Sequence, residues 1–139
     1  MFLFNYDVPF ISKLSYFHRM EVTYRSTGCF HNYSYLFYFD SKKNVVIYDC
    51  SFEKKLLGRY NLLDEELKRL DSLIQYYANN INNYGACTTT DLISIEIKFL
   101  NIVIRKYSYK DDSCMASRQE GLMSFGSFIS RMKKNVNKA

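Results

Sequence analysis

The sequence predicts an α+β fold: an antiparallel sheet of about five strands in the order β-β-β-α-β-β-α, with two amphipathic helices packed on one face. Three stretches carry that prediction. Cys29 to Cys50, CFHNYSYLFYFDSKKNVVIYDC, reads as two strands joined by a polar turn; Leu62 to about Asn80 carries a leucine stripe at helical spacing; Ile93, Ile95, Ile97 and Phe99 alternate with Ser94, Glu96 and Lys98.

At 139 residues with 47% hydrophobic residues, a single proline and five glycines, the chain suits one domain, residues 1–139. A domain of this size buries roughly two-thirds of its unfolded surface and needs no disulfide or metal staple. Residues 1–18 mix apolar and polar positions without a clean period. They predict an irregular lead-in with a short helix from Pro9 to Phe17, where Phe10, Ile11, Leu14 and Phe17 share a helical face.

Met20 to Arg25 alternates as a half-buried strand, and Ser26-Thr27-Gly28 breaks it. Asn32 to Asp40 and Lys43 to Cys50 complete a meander, because the connections are too short for parallel crossovers. Between them, Asp40-Ser41-Lys42-Lys43-Asn44 has turn chemistry. Parity puts Tyr33, Tyr35, Phe37 and Phe39 in a core row and Ser34, Leu36 and Tyr38 in the row facing outward. Val45 and Ile47 oppose Val46 and Tyr48.

Leu63, Leu67, Leu70, Ile74 and Tyr77 recur at steps of three and four, with Asn61 placed to cap the helix and Asp64 and Glu65 in its first turn. A polar loop with Gly85, Cys87 and Thr88-Thr89-Thr90 leads to the second hairpin, whose turn is Leu100-Asn101. Straight alternation after that turn points Ile102 and Ile104 one way and Val103, Arg105, Tyr107 and Tyr109 the other. Ser117-Arg118-Gln119-Glu120 has capping-box spacing before the stripe Leu122, Phe125, Ile129 and Met132. Gly121 and Gly126 each cost that helix ~1 kcal/mol against alanine. The tail 133–139 is expected to fray.

Chemistry-bearing motifs are sparse. Cys29, Cys50, Cys87 and Cys114 form no CxxC pair, which argues against a zinc site, and MFLFNYDVPFISKL lacks the basic and sustained apolar regions of a secretory signal. Reduced thiols in a cytoplasmic protein are the expectation. No apolar run approaches the ~20 residues that span a bilayer. His18 and His31 stand outside any recognisable motif, a Cys29/His31 dyad would need positioning from elsewhere, and no glycine-rich phosphate cradle is present. The expectation is a non-enzyme without cofactor or metal.

What remains is the outward face of the sheet. Parity collects Tyr38, Tyr48, Glu96, Lys98, Arg105, Tyr107 and Tyr109 into one layer there, and Tyr and Arg are enriched at interface hot spots. A flat face suits a macromolecular partner better than a small substrate. The net charge of +5 and pI near 9.0 allow an acidic partner, nucleic acid or an anionic surface, by a modest margin.

The Gly28-Cys29-Phe30-His31 entry to a strand, the Thr90-Asp91-Leu92-Ile93-Ser94-Ile95 entry to a late hairpin and the closing stripe from Leu122 to Met132 prompt a comparison. Over residues 20–133 the chain resembles the small immunity proteins that accompany bacterial toxins, including those of contact-dependent growth inhibition systems. The resemblance implies a protein that binds one cognate toxin domain and blocks its active site or substrate approach. Its basic charge departs from that expected of an inhibitor of a basic nuclease, which favours an acidic toxin surface or an off-active-site mode of binding. The alternative reading is a nucleic-acid-binding domain whose tyrosines stack bases beside Lys98, Arg105 and Lys106.

Overall fold

The computed structural model describes residues 10–28, 32–79, 82–83 and 90–111. Within them the chain runs β1 (His18–Thr27), β2 (Asn32–Phe39), β3 (Asn44–Asp49), β4 (Lys55–Asn61), α1 (Asp64–Asn79), β5 (Asn82–Asn83), β6 (Thr90–Phe99) and β7 (Ile102–Asp111). The strands form one sheet in the order β4-β3-β2-β1-β6-β7-β5. Six long strands pair antiparallel, and the two-residue β5 adds a parallel edge to β7.

The aromatic strand β2 and its neighbour β1 lie at the centre, as a strand apolar in nearly every position should. Their register aligns the core rows across the whole sheet. One row runs Tyr60–Val45–Phe39–Met20–Ile97–Arg105, and the next Gly58–Ile47–Phe37–Val22–Ile95–Tyr107. Phe37, Val45, Ile47, Met20, Val22 and Ile95 have no exposed surface. Each such side chain contributes about 1.5–3 kcal/mol by leaving water.

The helix packs on this face through Leu67, Leu70, Leu73, Ile74 and Tyr77. It starts at Asp64, so Asn61 remains the last residue of β4, paired with Asn44, and does not cap it. The Glu66 side chain instead accepts the Leu63 N–H at 3.0 Å, which is half of a capping box. Leu63, one of the expected stripe residues, is 68% exposed, and Leu73 takes its place in the core.

Three expectations change. The sheet has six long strands where about five were expected, because Lys55–Asn61 forms an edge strand that carries no alternation. Its Gly58 sits beneath the Tyr60 ring, where an added Cβ would stand 2.6 Å from the hydroxyl. One helix is present among the described residues against the expected two; the stripe from Leu122 to Met132 lies outside them. The predicted Pro9–Phe17 helix is reduced to a 3-10 turn at Ile11–Lys13. The buried Asp71 carboxylate of α1 holds that turn, accepting the Ile11 N–H at 2.5 Å and the Ser12 N–H at 3.4 Å. Ile11, 2% exposed, therefore joins the core on the helix side of the sheet.

Candidate binding face

Among the described residues, no element packs on the face opposite α1. Its side chains follow from the same register, one residue out of phase with the core. The central row reads Arg59–Val46–Tyr38–Glu21–Glu96–Lys106 across six strands, and the next Leu56–Tyr48–Leu36–Thr23–Ser94–Ser108.

Tyr38 and Tyr48 meet edge to face with ring centroids 5.6 Å apart. The Lys54 ammonium lies 4.6 Å from the Tyr48 centroid and 5.6 Å from that of Tyr38. Cation–π contacts of this kind are worth about 0.5–1 kcal/mol at exposed sites. With Arg19 and Arg59 the cluster borders a shallow depression of about 490 Å³.

The acidic side chains here are neutralised locally. Lys98 Nζ pairs with Glu21 Oε2 at 2.7 Å, and Lys106 Nζ with Glu96 Oε2 at 3.8 Å. The hydrogen bond to Glu21 raises the Lys98 pKa more than partial desolvation lowers it. Asp40, at the rim, accepts the backbone N–H groups of Lys42 and Asn44 and so belongs to its turn. Arg19, Arg25, Arg59 and Lys54 have no carboxylate within ion-pair distance among the described residues. The face consequently presents an excess of positive charge beside two tyrosine rings.

Of the seven residues expected in one layer, Tyr38, Tyr48, Glu96 and Lys98 lie on this face, and Arg105, Tyr107 and Tyr109 do not. The single layer therefore requires correction. The register shifts between Ile97 and Lys98: Phe99 opposes Ile102 and Lys98 opposes Val103, but Ile97 opposes Arg105. Ile104 is the extra residue of a β-bulge, and beyond it the parity of β7 reverses. Tyr109 is thereby buried to 2% beside Tyr77, whose ring centroid is 4.9 Å away, and Tyr76 at 5.8 Å. Tyr107 packs at the margin of the same core, and Arg105 extends a core row at the exposed edge.

The face also recruits Arg19, Glu21, Lys54 and Arg59, which the sequence reading did not single out. Alternation in Met20-Glu21-Val22 was signal enough for Arg19 and Glu21. Arg59 was hidden because β4 has no alternation, and Lys54 because a loop residue has no parity. No group of three or more metal-ligating side chains occurs among the described residues. His18 bonds to the Ser15 hydroxyl, and Cys50 is a half-buried free thiol. The Cys29/His31 pair lies outside the described residues, as do Cys87, Cys114, Thr88 and Thr89, whereas Thr90 begins β6. No helix among the described residues is long and apolar enough to cross a membrane. No protein-family model matches the chain, and no curated protein matches it.

Proposed function

We propose that this chain is an immunity-type inhibitor that binds a cognate bacterial toxin domain through the exposed sheet face and blocks its active site or substrate access. The Tyr38–Tyr48–Lys54 cluster, flanked by Arg19 and Arg59 without carboxylate partners among the described residues, carries the reading. Rigid aromatic rings on central strands supply contact area at small entropic cost, and unpaired cations favour an acidic partner surface. The resemblance to toxin-immunity proteins supplies the biological setting. Co-expression with a candidate toxin domain, sought among the products of neighbouring genes, tests the proposal: the cognate pair is expected to co-purify and growth to be rescued. Arg59→Glu combined with Lys54→Glu should weaken the complex by at least about tenfold. Failure of the parent chain to bind or protect sinks the reading.

A second reading, binding of single-stranded nucleic acid, is favoured by one further observation. Thr23, Ser94 and Ser108 stand in register across β1, β6 and β7, with Arg25, Lys106 and Lys110 around them in a depression of about 360 Å³. Hydroxyls and cations of this kind contact phosphate, and tyrosines stack bases. Micromolar affinity for single-stranded RNA that falls steeply with salt would favour this reading over the first.

A further inference from the structure

We propose that the tip of the β6–β7 hairpin docks the protein onto an anionic lipid surface, a role distinct from that of the sheet face, with which its collar shares Arg19. The tip sequence Phe99-Leu100-Asn101-Ile102-Val103-Ile104 is almost wholly apolar, and its side chains are exposed: Phe99 38%, Leu100 59%, Ile102 67%, Val103 45% and Ile104 45%. Phe17, 54% exposed, and Tyr16, 76% exposed, stand at its base, with the Phe17 ring 6.2 Å from that of Phe99. Contiguous apolar surface of this kind marks a site of contact with a protein or a membrane.

Two features favour lipid. First, the apolar residues occupy both faces of the hairpin. Phe99 and Ile102 form one cross-strand pair on the core parity, and Val103 pairs with Lys98 on the opposite parity. A flat protein surface would cover one side of such a wedge, whereas acyl chains surround it. Second, the collar is cationic. Arg19 and Lys42 line the hollow beside Leu100 and Asn101, and Arg105 follows on β7; none has a carboxylate within ion-pair distance among the described residues. The adjacent acid, Asp40, is engaged by two backbone N–H groups. An apolar tip with a cationic collar matches the boundary between acyl chains and anionic headgroups, and the aromatic pair at its base suits the interface.

The turn itself carries a cost that points the same way. Leu100 and Asn101 both have positive φ, 50° and 72°, the pattern of a type I′ hairpin turn. Asparagine or glycine is suited to the first of those positions, and a branched bulky residue is not. Leucine there is locally unfavourable and sits 59% exposed, so its use lies outside the fold.

Sedimentation of the full chain with phosphatidylcholine vesicles, with and without phosphatidylserine, tests the proposal. The parent protein is expected to sediment with the anionic vesicles, less with neutral ones, and less again at high salt. Leu100→Asn combined with Ile102→Asn should weaken sedimentation by about tenfold or more. Asparagine suits the turn at position 100, and Ile102 is 67% exposed at the start of β7, so circular dichroism and the urea midpoint should be preserved. Ile102→Trp would be the sole tryptophan of the chain. Its emission should shift to the blue on anionic vesicles and be quenched by brominated acyl chains. A parent protein that stays in the supernatant overturns the proposal, as does equal binding by the double variant or an unmoved tryptophan emission. Self-association abolished by the double variant, without vesicle binding, would assign the tip to a second copy of the chain and reject lipid.

Discussion

Tyr109 and Tyr38 stand on opposite faces of one sheet, and that difference sets what each substitution should do. Tyr109→Ala removes a buried β7 ring that packs against the Tyr76–Tyr77 pair of α1, so a loss of about 3–5 kcal/mol is expected. Tyr38→Ala removes a half-buried ring that touches Tyr48 and Lys54, and about 1 kcal/mol is expected. Urea unfolding of the two variants distinguishes them, and equal losses would contradict the face assignment. Asp71 offers a different readout. Its burial raises the carboxyl pKa above the ordinary value of 3.8, against the lowering effect of its bonds to Ile11 and Ser12. The folded state therefore holds the proton more tightly than the unfolded chain. Its contribution to stability is fully present below pH 3.8 and is lost as pH rises through the folded pKa. Asp71→Asn should flatten that slope in thermal unfolding measured against pH. Asp71→Ala strands two N–H groups and should cost about 1–3 kcal/mol at any pH. None of this was visible in the leucine stripe, because an aspartate among helical charges is identical in sequence whether it faces water or receives a turn from sixty residues upstream.

The elements that were legible are those whose periodicity runs unbroken. Alternation placed Tyr35, Phe37, Phe39, Val45, Ile47, Ile93, Ile95 and Ile97 in the core, and the three-four spacing located α1 to within two residues at its start. The errors came from interruptions. One extra residue, Ile104, reverses the parity of β7 and moved three of seven expected face residues to the other side; nothing in Ile102-Val103-Ile104 marks which residue is unpaired. In β4, Gly58 and the register shift between Ile47 and Tyr48 on its partner erase the alternation that would have announced a strand. The bulge yields a prediction specific to this fold. Deleting Ile104 leaves Ile97 opposite Arg105 and Lys98 opposite Val103, so every cross-strand pair survives. Stability should stay within about 1 kcal/mol of the parent. Deleting Ser108 instead turns Tyr109 out of the core and should cost about 3–5 kcal/mol. Chemical denaturation of both deletions checks this, and an Ile104 deletion that unfolds would contradict the bulge assignment.

At the scale of the whole molecule, the sheet divides the described residues into a face closed by α1 and the Ile11 turn and a face that carries Tyr38, Tyr48 and a surplus of cations. The net charge of +5 was read from composition, but the surplus of cations on one face of the described sheet was not. That surplus depends on Arg59 entering through the unforeseen β4 and on Glu21 and Glu96 being taken up by Lys98 and Lys106. With no strong motif in the sequence, the proposed function rests on the exposed face and its cations. Salt should therefore weaken partner binding chiefly through association rate, because the free cations lie at an exposed surface. Acetylation footprinting of lysines in the presence of a toxin domain that co-purifies with this chain tests the proposed binding face most directly. Lys54 on the sheet face should lose about tenfold in reactivity on complex formation, while Lys68, exposed on α1, should be unchanged. Protection of Lys68 with Lys54 left reactive would place the partner on the helix side and contradict the account.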